Sequence, residues 1–216
     1  TKLELPAKGI IIATNQYDID PDGRLKLTPF SLATLRERNA GGHPEINSVH
    51  CDIGYLEFDK PVKTLQEIGS RRIVACELVG DPELLSHDPR RGANHQVNNR
   101  ATPSPDDDLV LVTSGPVTYR EAAQPGLPLD KAKPEIATAA AVQIVDRRDA
   151  PQSTTVTAQG MQVFLAVDGP GEAGQRRGPV GRSAAITGVR RVVLPANVNM
   201  NLWIESGSGF LASSRS

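Results

Sequence analysis

Aromatic residues are scarce in this sequence, which has one Trp, three Tyr and four Phe among 216 residues. The interior is therefore expected to be packed mainly with Val, Ile, Leu and Ala, and platforms of stacked aromatic rings for sugars are not expected. Long apolar runs are also missing. None exceeds five residues, the length of the run from Gly9 to Ala13, which is far below the roughly 20 residues that a membrane helix requires.

An excess of charge of either sign is absent as well, because 24 Lys and Arg residues balance 25 Asp and Glu residues. The basic residues are scattered, so the sequence lacks the electrostatic footprint of a nucleic-acid-binding protein, and we expect no nucleic-acid partner. Two cysteines do not define a redox compartment. The chain opens on a polar segment without a signal peptide, so we expect a cytosolic protein or a mature or trimmed fragment.

Alternation of apolar and polar residues with a period of two recurs along the chain and predicts β-strands. It is longest over Thr154–Val167 and cleanest over Val198–Ile204. Between Ile46 and Phe58 the apolar positions change phase after Gly54, which predicts a β-bulge at that glycine. Such strands, separated by turns and without βαβ alternation, predict an all-β sandwich, barrel or jelly roll.

Segments without any period separate the strands. Asp81–Pro105, Pro125–Lys133 and Gly169–Gly181 are rich in turn-forming residues and are predicted to be irregular loop insertions. Thr28–Arg38 suits a strand or a short helix, and Lys63–Ser70 suits one helical turn. We expect a single elongated β domain over residues 1–205, followed by a disordered Ser/Gly-rich tail at 206–216.

Catalytic and metal-binding patterns are weak, so neither a catalytic residue nor a metal site or other cofactor is predicted. Asp18–Gly23 copies the opening of a calcium loop, but Pro29 stands where that loop requires Glu, so a hairpin turn is favoured. The acidic run Asp106–Asp108 is interpreted as a solvated turn. The histidines lack the close spacing of a zinc site and are expected at the surface: His43, His50, His87 and His95.

Cys51 and Cys76 lie in two predicted strands, nearly equidistant from the middle of the connection Asp59–Ser70. In a hairpin the two residues would lie opposite each other and form a cross-strand disulfide if their Cα atoms came within about 6 Å. The alternative, two buried thiols, is favoured because the strand register is not fixed by the sequence.

Repeated strand pairs carry a family resemblance. The stretch Asp108–Tyr119, followed by Ile136–Val145 and Val156–Leu165, resembles the OstA-like repeats of periplasmic lipopolysaccharide-transport proteins. The similarity is clearest over residues 107–167, with weaker copies around Val79-Gly80 and from Gly188 to Val193. The chain departs from the family pattern in its long irregular insertions and in the absence of an N-terminal membrane anchor.

The resemblance implies a long antiparallel β-jelly-roll, taco-like and partly open, in the periplasm or associated with the envelope. Lipid or lipopolysaccharide acyl chains would lie between its sheets, and homologous β-jelly-roll domains would pair with it through edge strands. The expected groove lining is small and apolar: Ala140, Val142, Ile144, Met161, Val163, Leu165, Met200 and Leu202. The same residues filling a closed core remain an alternative, as do a structural or adhesive β module and, third, a hydrolase on a β scaffold.

Overall fold

A computed structural model of the chain describes residues 2–5, 10–36, 45–87, 106, 108–121, 134–148, 153–167 and 186–202. It is almost entirely antiparallel β-structure, curled into an open half-barrel and consistent with an all-β, jelly-roll-like fold. The strands are β1 Lys2–Leu5, β2 Ile10–Ala13, β3 Gln16–Ile19, β4 Leu25–Thr28, β5 Phe30–Arg36, β6 Glu45–Cys51, β7 Ile53–Phe58, β8 Ile73–Val79, β9 Glu83–His87, β10 Leu109–Thr113, β11 Val117–Arg120, β12 Glu135–Asp146, β13 Thr154–Val167, β14 Ile186–Val193 and β15 Ala196–Asn201. A short helix, α1, spans Leu65–Ile68.

Most of these strands are halves of longer, bent strands that follow one another as a meander. The halves are β2 with β3, β4 with β5, β6 with β7, β8 with β9, β10 with β11, and β14 with β15, while β12 and β13 run on without interruption. Register is conserved through several of the bends. Phe30 pairs with Cys51 on one side of such a bend, and Leu27 pairs with Gly54 on the other side in the same register. The bends therefore turn the sheet without separating it into two independent sheets.

The bends divide the first five bent strands into two arms. The first arm contains β2, β5, β6, β9 and β10, and the second contains β3, β4, β7, β8 and β11. Neighbouring bends are hydrogen-bonded to one another, since the Asp52 amide donates to the Gly80 carbonyl at 3.2 Å and the Thr113 amide donates to the Pro82 carbonyl at 3.2 Å. These bonds satisfy backbone groups that a bend removes from the regular ladder.

The concave face of the curled sheet carries the main core, which contains residues from both arms. Ile12 and Phe30 of the first arm pack in the same cluster as Leu56 of the second. Val62 and Ile68, on the connection between β7 and β8, belong to this cluster too, and each is only 1% exposed. The connection therefore closes one end of the core, and this part of the interior is filled with side chains.

Several local expectations are confirmed and others are wrong. The all-β class, the helical turn within Lys63–Ser70 and the hairpin turn at Asp18–Gly23 are confirmed. The ambiguous stretch after Thr28 is the strand β5, and Glu83–His87, within the predicted loop insertion Asp81–Pro105, is the strand β9. The phase change near Gly54 is not a bulge at that residue, because the register is unbroken there; it arises at the bend around Asp52.

Candidate functional site

The predicted lining residues of β12 and β13 lie together on the concave face. Val142, Ile144, Met161 and Val163 belong to a second apolar cluster, which we call the C-terminal cluster. Val142 and Met161 are only 3% and 2% exposed. The other members of this cluster are Leu84, Leu111, Ala158 and Leu194. Together these side chains form one apolar cluster along β12 and β13 on the concave face.

The remaining predicted lining residues are distributed differently. Leu165 is buried, and Ala140 lies against Gly115, where an added Cβ would come within 2.5 Å of the Ala140 Cβ. Met200 and Leu202, in contrast, are 52% and 54% exposed. The structure thus buries or half-buries the lining residues of β12 and β13 and leaves Met200 and Leu202, at the last described strand, open to solvent.

Exposure of large apolar side chains is concentrated on β14, β15 and the residue that follows them. Five of the six exposed large hydrophobic residues in the described part of the chain lie there, and we call them the apolar edge: Val189, Val192, Val198, Met200 and Leu202. The sixth is Tyr17, on β3. A soluble surface tolerates single exposed apolar residues, but a contiguous group indicates an interaction site.

Strand register shows that the apolar edge continues the concave face. Val192 pairs with Val163, and Met200 pairs with Val156. Directly paired residues of antiparallel strands project to the same side of the sheet. Because Val163 packs in the C-terminal cluster, its partner Val192 extends that apolar surface outward to the edge. The buried apolar interior is therefore contiguous with an uncovered apolar margin.

The opposite margin of the sheet is better covered. Ile12 of β2 is 1% exposed, and β1 pairs with β2 as a further strand on that side. The curled sheet is consequently asymmetric: its core is closed near the first strands and apolar side chains are uncovered near the last ones.

The two cysteines do not lie directly opposite each other in the described sheet. Cys76 pairs with Leu56 on one side and Tyr119 on the other, whereas Cys51 pairs with Phe30. Both are free thiols: Cys51 is buried in the main core cluster, and Cys76 is partly buried against it. Burial raises the pKa of the Cys76 thiol to about 12, and the nearby Cys51 adds to this. Burial likewise raises the pKa of the Cys51 thiol.

Within the described residues, no group of His, Cys, Asp and Glu side chains has the arrangement of a metal site. His50 is exposed, as expected, whereas His43 and His95 lie outside the described residues. The solvated turn expected at Asp106–Asp108 is wrong for Asp108, which is fully buried and makes polar interactions, although Asp106 is exposed. Residues 88–105, 122–133, 168–185 and 203–216, on which much of the predicted loop insertions and tail falls, lie outside the described residues.

The alternation in the sequence contains three of the five residues of the apolar edge and misses the other two. The alternation of Val198, Met200 and Leu202 was visible, but Val189 and Val192 are separated by two arginines that hide their common face. The irregular register of β14 against β13 explains this, since the pairing shifts between Phe164 and Leu165. A strand with such a shift cannot show a clean period of two.

The fold and the apolar edge define an all-β protein with a curled, jelly-roll-like sheet whose apolar concave face reaches solvent along one margin. A scan against protein-family models finds no matching family, and searches of curated proteins and of solved structures find no similar protein. The helical part of the described chain is one short turn, which is too short to cross a membrane.

Proposed function

We propose that this chain is a non-enzymatic envelope protein of the lipopolysaccharide- or lipid-transport type. In this proposal, acyl chains bind to the concave apolar face and enter along the apolar edge, and edge strands pair with homologous domains. The observation that carries the proposal is the continuity between the C-terminal cluster and the uncovered side chains of β14 and β15. An apolar trough of this kind binds lipid tails without any catalytic group.

The chemistry of the apolar edge suits a flexible chain. Its side chains are aliphatic or thioether groups that require no hydrogen bond from a ligand, and the unbranched Met200 can adapt to ligands of different shape. β15 alone has six residues, which span about 20 Å at the usual rise of about 3.3 Å per residue. A single long acyl chain reaches an affinity on the order of 100 μM by burial alone, so a lipid with several chains would bind more tightly.

The filled main core limits where a lipid would bind. The cluster around Phe30 and Leu56 is packed and is closed at one end by Val62 and Ile68. We therefore place the acyl chain against β12–β15 rather than along the whole concave face. The same filled core favours the second candidate, a structural or adhesive β module whose apolar edge contacts only another protein.

A lipid-uptake experiment separates these two candidates. Delipidated protein is titrated with a fluorescent long-chain fatty acid and with lipopolysaccharide, and we expect saturable binding of both. Met200→Gln replaces an apolar side chain at the edge with a polar one of similar length, and we expect about fivefold weaker binding, which corresponds to about 1 kcal/mol for a half-buried Met. Asn199→Gln is the matched control, because Asn199 is adjacent on β15 and projects to the other face.

Absence of saturable uptake of either lipid, with the protein folded, rejects lipid carriage in favour of the structural module. Partner pairing has a separate readout. Sedimentation velocity should show association that increases with protein concentration, and Asn199→Lys should reduce it, because a lysine on an edge strand opposes strand addition. Lipid uptake by Asn199→Lys should equal that of the unaltered protein, since the apolar edge is unchanged.

A further inference from the structure

The last bent strand, formed by β14 and β15 and called here the outer strand, is exposed on both of its faces. All six positions of β15 are exposed, and so are the residues of β14 from Val189 to Val192. A strand that covers a core alternates buried and exposed residues, because successive side chains project to opposite faces. The apolar edge therefore stands on a strand that projects beyond the packed interior, and a partner that covers this strand fully must contact both faces.

The outer strand and its neighbour β13 carry charge of one sign only. Residues 154–167 and 186–202 contain no Asp, Glu, Lys or His, and their charged residues are Arg190 and Arg191. The formal net charge of the whole chain is −1 and these strands carry +2, so the rest of the chain carries −3. An anionic surface would attract the outer strand and repel the remainder, which orients the protein with this strand toward that surface.

A β-bulge brings the two arginines together at the margin of the sheet. Arg191 pairs with Phe164 and Val189 pairs with Leu165, so Arg190 between them is the extra residue of the bulge. Both arginines are exposed, and neither forms an ion pair with another residue that the structure describes. Two guanidinium groups are thus available to external anions, immediately beside exposed valines of the apolar edge.

We infer that the outer strand docks on the surface of a bilayer that contains anionic phospholipids. The apolar edge enters the boundary between headgroups and acyl chains, and the two arginines bind lipid phosphates. Guanidinium groups suit this position, because they donate paired hydrogen bonds to phosphate oxygens while their aliphatic stems lie beside apolar side chains. Burial of apolar area combined with attraction to anionic lipids is a general means of holding a protein at a membrane surface.

A bilayer fits the exposure of the outer strand better than a single lipid does. One acyl chain covers the concave side only, whereas a bilayer interface surrounds a projecting strand and offers acyl chains and phosphates together. Insertion is shallow, since β14 and β15 pair only with β13 in the described sheet and the outward N–H and C=O groups of an edge strand require water or headgroup partners. The inference goes beyond lipid carriage, because it requires no lipid to leave the bilayer.

Co-flotation of the full chain with lipid vesicles tests the inference. One set of vesicles contains phosphatidylcholine alone, and the other contains equal parts of phosphatidylcholine and phosphatidylglycerol. We expect at least about tenfold tighter binding to the anionic set, because each arginine near an anionic surface contributes about fivefold. Raising the salt concentration from about 0.1 M to about 1 M should remove most of this difference, since the screening length falls from about 10 Å to about 3 Å.

The double variant Arg190→Gln/Arg191→Gln should lose the preference for anionic vesicles. The matched control is Lys60→Gln/Lys63→Gln, which changes the net charge by the same amount at two exposed positions between β7 and β8. Neither β7 nor β8 pairs with β13, β14 or β15. The control should therefore retain the preference, and circular dichroism confirms that both variants are folded.

Val189→Gln/Val192→Gln tests the apolar contribution, and it should weaken binding to anionic vesicles at least about fivefold. Asn199→Gln exchanges one polar side chain for another on β15 and should bind as the unaltered protein does. The inference is overturned if folded protein does not float with anionic vesicles, if neutral vesicles bind it as tightly, or if either double variant of the outer strand behaves as the unaltered protein. Uptake of fatty acid without vesicle binding rejects docking alone, and vesicle binding without uptake rejects lipid carriage alone.

Discussion

Gly54→Ala should be strongly destabilising, because the Phe30 ring occupies the space that a side chain would need. A Cβ added at Gly54 would lie 2.5 Å from Cγ and 2.6 Å from Cδ2 of Phe30. Carbon atoms in contact prefer separations of about 3.5–4.0 Å, so the ring or the strand must move by about 1 Å. Phe30 is 2% exposed and has no free space to enter. Overpacking of this kind typically costs about 1–3 kcal/mol, and we expect a value near the upper end.

Urea unfolding followed by circular dichroism measures this cost. A loss of about 2–3 kcal/mol would lower the midpoint of thermal unfolding by roughly 5–10 °C in a domain of this size. The double variant Gly54→Ala/Phe30→Leu should recover part of the loss, which gives a coupling energy of at least about 1 kcal/mol between the two positions. The control is Gly69→Ala, because a Cβ there meets nothing within 4 Å. If Gly54→Ala is as stable as the unaltered protein, or if its effect and that of Phe30→Leu are additive, the close approach of β5 and β7 at this bend is refuted.

Two further predictions concern the core and its titratable groups. Ile68→Ala should lower the free energy of unfolding by about 2–4 kcal/mol, because this 1%-exposed side chain closes the end of the core; an effect below 1 kcal/mol in urea titrations would contradict that role. Burial raises the pKa of Cys76 to about 12 and that of Tyr119 to about 12, from 9.0 and 10.0. Their neutral forms are favoured by folding, so stability should be retained below pH 9 and fall as the pH rises toward 12. Tyr119→Phe and Cys76→Val should each reduce that fall between pH 8 and pH 11, and an equal fall in both variants would exclude these groups as its source.

The strands were predictable from the sequence because alternation is a local property. In β13 the inward positions carry apolar residues on both halves, and the outward positions carry residues such as Thr157 and Gln162. The bends were not predictable. A phase change near Gly54 is compatible with a bulge or a corner, and only the strand register, which is unbroken at Gly54, distinguishes them. At Gly80 a positive φ of 82° and the side chain of Asp52, which an added Cβ would meet, require glycine.

The candidate sites depended even more on tertiary structure. The alternation over Val198–Leu202 predicts an inward apolar face, but its exposure follows from β15 being at the margin, which no local pattern reveals.

The order of the bent strands affects how the sheet forms and how the number of its strands can change. Each bent strand pairs with the ones before and after it in the chain, so the pairings within the described sheet join segments that are close in sequence. Such pairings close only short loops, which favours formation of the sheet by addition of neighbouring hairpins. An architecture of this kind can become longer or shorter by the addition or loss of whole bent strands.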